Sequence, residues 1–173
     1  MSQLNKKVTH KLMTSFPILL MLLVVFTGFD FNFKLLKINF SINLIYIIIF
    51  YWVLRKPDSI GFGIILFAGI INDVVQNFPI GISSINFLLI SVIASFIRSR
   101  TLLPNLLYDW VLFLITLLII SSINFSILSI IFDSEIKYSA IMLNSFITFL
   151  IYPVFAKTFI IIDQFSVSKQ NVD

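Results

Sequence analysis

Long apolar segments, separated by short polar or helix-breaking groups, divide the chain into six parts. Inside these segments the apolar residues follow one another without alternation, as in residues 45–50 and 64–67. A membrane-spanning strand needs alternating apolar and polar residues, whereas a helix satisfies its backbone hydrogen bonds within one segment. The pattern therefore predicts six transmembrane helices. They cover residues 12–29, 38–54, 60–77, 80–97, 106–132 and 138–162.

Polar residues and prolines mark the breaks between these segments. Asp30 and Asn32 end the first, Pro57 lies between the second and third, Pro79 belongs to a tight turn after the third, and Pro104 precedes the fifth. The second and third segments are short and also contain polar side chains. Because a helix needs about 20 residues to cross a hydrocarbon core of ~30 Å, these two lie nearest the lower limit for a span.

Composition agrees with a membrane assignment. Hydrophobic residues occupy 59% of the 173 positions and charged residues 12%, and the mean hydropathy is +1.05. Soluble domains average about 45–50% apolar and about 25% charged residues, so an ordinary soluble globule, a disordered chain and a solvated coiled coil are excluded. We expect an all-α polytopic membrane protein, with six transmembrane helices in a single transmembrane domain over residues 1–173.

The distribution of basic residues predicts the orientation in the membrane. With a cytoplasmic N-terminus, nine Lys and Arg residues fall on the cytoplasmic side and three on the other, which is the usual bias of membrane proteins. The nine are Lys6, Lys7, Lys11, Arg55, Lys56, Arg98, Arg100, Lys157 and Lys169, and the three are Lys34, Lys37 and Lys137. Both termini are then cytoplasmic. The net charge of +4 is accordingly assigned to orientation and not to nucleic-acid binding.

Two further expectations concern the membrane boundary. The first apolar segment follows basic residues as a signal peptide would, but residues 27–30 lack a cleavage pattern, so we expect this segment to remain as a span. Tyr51, Trp52, Tyr108 and Trp110 lie near predicted cytoplasmic ends, where an aromatic belt is expected.

The sequence offers little catalytic chemistry. It contains no Cys and one His, His10, which excludes a cysteine nucleophile and a thiolate or multi-histidine metal site. Phosphate-loop, metalloprotease and nucleophile-elbow motifs are absent. Asp73 and Asp109 fall near opposite membrane faces, too far apart for a catalytic carboxylate pair, and Asp109 is interpreted as an interfacial residue. We therefore expect no enzymatic activity, no cofactor and no metal.

Asp73 is the ionisable residue of greatest interest, because charged groups inside membranes are costly and are functional candidates by default. Gly69 lies one turn before it and would let a neighbouring helix approach closely, while Asn72 and Gln76 lie on the adjoining helix face. Three asparagines also fall in the outer halves of later spans, namely Asn86, Asn124 and Asn144. This predicts an outer-leaflet polar cluster that either locks helices together or forms a site for a ligand or partner.

Two prolines and a glycine are expected to shape the backbone. Pro79 and Gly81 would form the tight turn after the third span. Pro153 would kink the last helix because proline removes one backbone hydrogen bond, and Asn144 would add a polar contact on that helix.

Several groups of residues follow one another in a distinctive order. They are Tyr51-Trp52 with Arg55-Lys56-Pro57, then Gly69-Ile70-Ile71-Asn72-Asp73, then Pro79-Ile80-Gly81, and finally Asn144 with Tyr152-Pro153. In this order and spacing, and in its length, short loops and six-span layout, the chain resembles the rod shape-determining protein MreD family over essentially its whole length. The very short basic C-terminal tail is a departure from that pattern.

The resemblance implies a subunit of the bacterial cell-elongation machinery in the inner (plasma) membrane. Such a subunit is a non-enzymatic scaffold that binds MreC and supports rod shape and lateral peptidoglycan synthesis. The MreB filament and the lateral-wall peptidoglycan synthases would be direct or indirect partners, and membrane lipid would surround the helices.

An alternative function follows from the same resemblance. The family is similar in fold to the substrate-binding subunits of energy-coupling-factor vitamin transporters, which implies a small-molecule substrate-binding subunit of a membrane transporter. That function requires an outward pocket lined by the outer-leaflet amides and roofed by a loop. The short third turn and small loops offer little roof, which favours the scaffold.

Overall fold

A bundle of six α-helices and one short β-hairpin makes up the part of the chain that the computed structural model describes, which is residues 2–28, 31–35, 38–100, 105–131 and 138–170. The helices are α1 (Ser2–Thr27), α2 (Leu44–Arg55), α3 (Phe62–Gln76), α4 (Ile82–Arg100), α5 (Leu106–Ile131) and α6 (Tyr138–Gln170). Strands β1 (Phe31–Leu35) and β2 (Ile38–Ile42) form the antiparallel hairpin between α1 and α2. The largely helical architecture agrees with the predicted all-α membrane protein.

The central helix of the bundle is α2. Ten of its 12 residues are buried, and it packs against α1, α4 and α6. A helix that is apolar on every side is typical of a protein core or of a membrane span. The sequence of α2 is apolar on every side, because Arg55 is its only charged residue and lies at its last position.

Aromatic rings surround the second half of α2. Phe50 packs on Phe113 of α5 and on Tyr152 of α6, with ring centroids 5.0 and 5.9 Å apart, and Trp52 packs on Phe159 at 5.9 Å. Offset and edge-to-face pairs of this kind are favourable beyond the area they bury. Trp52 is 1% exposed, so the expectation that it lies in an interfacial aromatic belt is wrong. The ring faces the protein core instead, because α2 is enclosed.

Three helices within the described residues are long and apolar enough to cross a membrane. The qualifying segments are Ile82–Arg100, Leu106–Ile130 and Ile141–Gln164. Their outer faces carry exposed large apolar side chains, such as Val111 on α5 and Val154 on α6. A continuous apolar exterior of this kind is unfavourable in water and suits contact with lipid.

The prediction of six full-length spans does not match the observed helix lengths. At 1.5 Å per residue, the 12 residues of α2 extend about 18 Å and the 15 residues of α3 about 22 Å, against a hydrocarbon core of ~30 Å. In α1, the described apolar stretch is Ser15–Thr27. The other predicted segments correspond to helices, although α1 begins earlier and α6 ends later than predicted.

The second predicted span was wrong in its first part. Residues 38–42 form strand β2, and the helix begins only at Leu44. The physical reason is visible in the sequence, because apolar and polar residues alternate through Ile38–Ile42 and again through Phe31–Leu35. A period of two is typical of a strand, and the two alternating segments pair with Phe31 opposite Ile42.

The closest helix contact predicted from the sequence is observed between α3 and α4. A Cβ atom added at Gly69 would meet the backbone of Ser84, with its amide nitrogen 2.6 Å away and its Oγ 2.7 Å away. Only a residue without a side chain therefore permits this approach. By contrast, a Cβ added at Gly63 of the same helix would have no heavy atom within 4 Å.

We predict that Gly69→Ala lowers the free energy of unfolding by about 1–3 kcal/mol, because the added methyl group forces α3 and α4 apart. The matched control is Gly63→Ala, which should be neutral or slightly stabilising, since alanine is the better helix former. Thermal unfolding of both variants in the same detergent is the measurement. Equal melting temperatures for the two variants would contradict the tight α3–α4 contact.

Candidate functional site

The bundle has two chemically different ends. The hairpin end carries the β-hairpin, the α3–α4 turn and the starts of α4 and α6. The charged end carries Arg55 and Lys56 after α2, Asp109 at the start of α5, and Asp163 near the end of α6. The polar residues singled out from the sequence belong to the hairpin end.

Asp73 is part of the α3–α4 turn. Its carboxylate accepts hydrogen bonds from the backbone amides of Gly81 at 2.7 Å and Ser83 at 2.9 Å. These amides belong to the start of α4, where backbone N–H groups have no partner within the helix and negative charge is stabilised. Asp73 thus caps α4 from the preceding helix, and it is fully buried in this role.

The backbone of the turn explains the residues on either side of that cap. Asn77 ends α3 in the left-handed conformation (φ 56°), and Gly81 precedes α4 with φ 108°. Glycine suits the latter position because side chains rarely tolerate such an angle. The amide of Ile82 donates to the carbonyl of Pro79 at 3.4 Å. Pro79 and Gly81 therefore lie in the tight turn, as predicted.

A polar cavity of about 270 Å³ lies next to this turn. Amide side chains from four helices line it, and they are Asn72 and Gln76 of α3, Asn86 of α4, Asn124 of α5 and Asn144 of α6. The structure therefore brings together the amides that the sequence placed at one depth. Asp73 and Gly69 are not among the lining residues. Both are used in the α3–α4 contact instead.

The hairpin is fastened beside the cavity by side chains of α6. The amide of Ser41 donates to Oδ1 of Asn144 at 3.1 Å, and the amide of Asn43 donates to Oγ1 of Thr148 at 3.2 Å. Ser41 and Asn43 also line the cavity. The expectation that little roof is available overlooked this hairpin, because its strands were assigned to a span and to a break between spans.

Some cavity-lining groups are already paired with each other. Nδ2 of Asn72 donates to Oγ of Ser83 at 2.9 Å, and the hydroxyls of Ser121 and Ser145 lie 2.6 Å apart across α5 and α6. These contacts join α3 to α4 and α5 to α6 through polar atoms, as expected where apolar packing alone gives little specificity in lipid.

Two other lining groups are incompletely paired within the described residues. Oδ1 of Asn86 and Oδ1 of Asn124 are buried and have no hydrogen-bond partner there. Asn86 itself is 2% exposed. Because most buried polar side-chain atoms in folded proteins have a partner, these two oxygens distinguish the cavity from the bonded contacts around it.

Pro153 lies inside α6, which continues on both sides of it. Proline has no N–H to give to the carbonyl four residues earlier, and that carbonyl belongs to Phe149. The indole Nε1 of Trp110 donates to the Phe149 carbonyl at 2.8 Å. The Trp110 and Phe149 rings also stack, with centroids 4.8 Å apart. A side chain of α5 thus replaces the hydrogen bond that Pro153 removes.

The charged end is held by two ion pairs. Arg55 contacts Asp109 at 2.7 Å, and Lys56 contacts Asp163 at 2.9 Å. The side chain of Asp109 is 5% exposed, whereas those of Lys56 and Asp163 are 49% and 25% exposed. Asp109 therefore faces a protein partner rather than solvent. Sequence reasoning missed its partner because 54 positions separate the two residues.

The chain was compared with protein-family models, curated proteins and solved structures. No family model, curated protein or solved structure matches the chain. Among the described residues, no group of three or more His, Cys, Asp or Glu side chains is arranged to hold a metal ion. The polar chemistry of the site consists of amides, hydroxyls and carboxylates.

We predict that Asp109→Asn lowers the free energy of unfolding by about 3 kcal/mol, since it leaves the partly buried Arg55 without its counter-charge. The matched control is Asp163→Asn, which breaks the more exposed pair and should cost less than about 1 kcal/mol. Chemical unfolding in mixed micelles measures both values. If the control were the more destabilising of the two, the assigned role of the buried pair would be wrong.

We also predict that the effect of Trp110→Phe depends on Pro153. In the natural chain the variant removes the donor to the Phe149 carbonyl and should cost about 1 kcal/mol. In a Pro153→Ala background the alanine amide supplies that donor, so the same variant should cost less. A double-mutant cycle of unfolding free energies measures the coupling, and strictly additive effects would contradict the replacement.

Proposed function

We propose that the chain is a non-enzymatic membrane scaffold of the cell-elongation complex, resident in the bacterial inner (plasma) membrane, and that its principal partner is MreC. Support comes first from the resemblance to the MreD family. The residues that carry this resemblance have defined structural roles in the bundle. Gly69 gives close helix contact, Asp73 caps α4, and Gly81 adopts the turn conformation. These uses agree with a helix bundle that acts through its surfaces.

The proposal includes six membrane-embedded helices with both termini cytoplasmic. In this arrangement α2 and α3 are short helices within the bundle, and other helices and the hairpin complete the thickness around them. The positions of Arg55 and Lys56 after α2, and of Arg98 and Arg100 at the end of α4, support a cytoplasmic charged end. Similarity in fold to the substrate-binding subunits of energy-coupling-factor transporters belongs to this proposal as well.

A groove between α5 and α6 is the observation that supports docking of a single membrane span, while the identity of that partner as MreC follows from the resemblance. It has a volume of about 390 Å³, and its lining is almost wholly apolar. The lining residues include Leu114, Leu118, Met142, Leu143 and Phe146. Between membrane helices, association depends on close packing because lipid tails are as apolar as the side chains. A groove offers a single membrane span more packing area than a convex helix face does.

We propose that the membrane span of MreC occupies this groove. The MreB filament and the lateral-wall peptidoglycan synthases would then be reached directly or through MreC, while lipid covers the remaining apolar faces. This arrangement needs no catalytic group in the chain.

The experiment compares two neighbouring residues of α5. Leu118 lines the groove and is 39% exposed, whereas Ile119 is 43% exposed and is not among the lining residues. Leu118→Trp should fill the groove and reduce the MreC recovered with the tagged chain by about tenfold, equivalent to ~1.4 kcal/mol. Ile119→Trp should leave recovery unchanged. Rod shape of cells that depend on each variant is the second readout.

Two results would overturn the proposal. One is failure of the unmodified chain to retain MreC from native membranes. The other is equal MreC recovery and equal cell shape with both tryptophan variants, which would remove the groove as the docking surface.

A second candidate function is a small-molecule substrate-binding subunit of a membrane transporter. The observation that favours it is the polar cavity beside the hairpin, which is lined by the amides that this function requires. A transporter subunit should retain a small molecule after gentle purification and associate with an energy-supplying subunit. A scaffold should retain MreC instead.

A further inference from the structure

The cavity at the hairpin end has a lining that helix packing alone does not require. Six elements each contribute an uncharged polar side chain to it, and these include Ser41 of β2, Tyr46 of α2, Asn72, Asn86, Asn124 and Asn144. Its volume of about 270 Å³ far exceeds the ~10–15 Å³ that a single water needs. It lies just below the ~300–1,000 Å³ typical of sites for drug-sized ligands. The space therefore suits one ring-sized polar molecule.

The hydrogen-bonding state of the amides indicates what such a molecule must supply. Asn72 is bonded to Ser83, and Asn144 accepts from the Ser41 amide. The amide oxygens of Asn86 and Asn124 have no partner in the described part of the chain. An amide oxygen accepts hydrogen bonds and cannot donate them. A complementary molecule must therefore carry donors.

The charge of the lining indicates that the molecule is neutral. Within the described residues no Asp, Glu, Lys or Arg lines the cavity, and the nearby Asp73 carboxylate is already bonded to the amides of Gly81 and Ser83. A charged ligand would lose its hydration with no opposite charge to replace it. Hydroxyl groups both donate and accept, which matches the mixed donors and acceptors of the Asn and Ser side chains.

One wall is aromatic. Tyr46 and Phe87 both line the cavity, and their rings meet edge to face with centroids 5.9 Å apart. This wall offers an apolar surface opposite the amides. A sugar ring has the corresponding division, with hydroxyls at its edge and C–H groups on its faces.

We propose that the cavity binds an uncharged polyhydroxyl ring, either as a free sugar or as the headgroup of a glycolipid. The inference does not rest on MreC binding, because a scaffold and a transporter subunit would both be able to carry such a site.

The test uses the full chain purified in a detergent without a sugar headgroup, since a sugar-based detergent would compete for the cavity. Glucose is the free neutral probe, and glucosamine and glucuronate are its cationic and anionic counterparts. Bilayer discs containing glucosyl diacylglycerol, compared with discs of phosphatidylglycerol, test the headgroup source. A ligand that binds only the folded state raises the melting temperature, and above its Kd the rise follows the logarithm of the ligand concentration.

The decisive variant is the double substitution Asn86→Leu with Asn124→Leu. Because the buried Oδ1 atoms of these two amides have no partner in the described residues, apolar groups of similar size should cost the fold little. The melting temperature of each variant without probe separates a lost response from misfolding. The variant should weaken binding of the neutral probe at least tenfold. Ser126→Ala of α5 is the control, because Ser126 is exposed, outside the cavity lining and bonded only to the Ser122 carbonyl.

Several outcomes decide the proposal. A rise of several degrees that follows the logarithm of the glucose concentration supports a free sugar, and a rise only in glycolipid discs supports a headgroup, provided that the double variant loses it and Ser126→Ala keeps it. An equal response to glucosamine or glucuronate, a response that survives in the double variant, or no response to either neutral probe would overturn it. A surviving response would be the general effect of an osmolyte on stability. Loss of MreC binding would not affect any of these readouts.

Discussion

Backbone groups that leave a regular helix away from water must find partners within the protein, and the irregular parts of this bundle depend on that requirement. The first amides of α4 bond to the Asp73 carboxylate. The carbonyl freed by Pro153 accepts from Trp110. The amide of Ser41, at the end of the hairpin, bonds to Asn144. In each case a side chain from a different element completes the backbone, so a local irregularity also becomes a tertiary contact.

The same requirement separates two kinds of polar residue. Polar residues of one kind have all their acceptors bonded within the fold. Asp73 is an example, because each of its carboxylate oxygens accepts a backbone amide at the α3–α4 turn. The other kind surrounds the cavity, where Asn86 and Asn124 keep oxygens that the described residues do not bond. An ionisable residue in a membrane segment is a functional candidate by default. In this chain, however, the neutral amides of Asn86 and Asn124 are the groups with unpaired hydrogen-bond acceptors.

The sequence was sufficient to predict the position of a residue where that position follows from the regular geometry of a helix. Helical spacing placed Gly69 and Asn72 on faces that meet α4, and alternating helix direction placed Asn86, Asn124 and Asn144 at one depth. It failed where local pattern and long-range packing compete. Overall apolarity concealed the period of two in the hairpin, and the partner of Asp109 lies 54 residues away in sequence. Burial of Trp52 also depends on neighbours that no local window contains.

The enclosed position of α2 has a consequence for how the chain is made. Among its main neighbours, α1 is synthesised before α2, whereas α4 and α6 are synthesised after it, so only the side of α2 that faces α1 can have protein cover when α2 first leaves the ribosome. A segment of 12 residues ending in Arg55 is also too short to remain securely across a bilayer by itself. The enclosure of α2 is therefore complete only after α6 has been made, so the last helix to leave the ribosome is also the one that closes the core of the bundle.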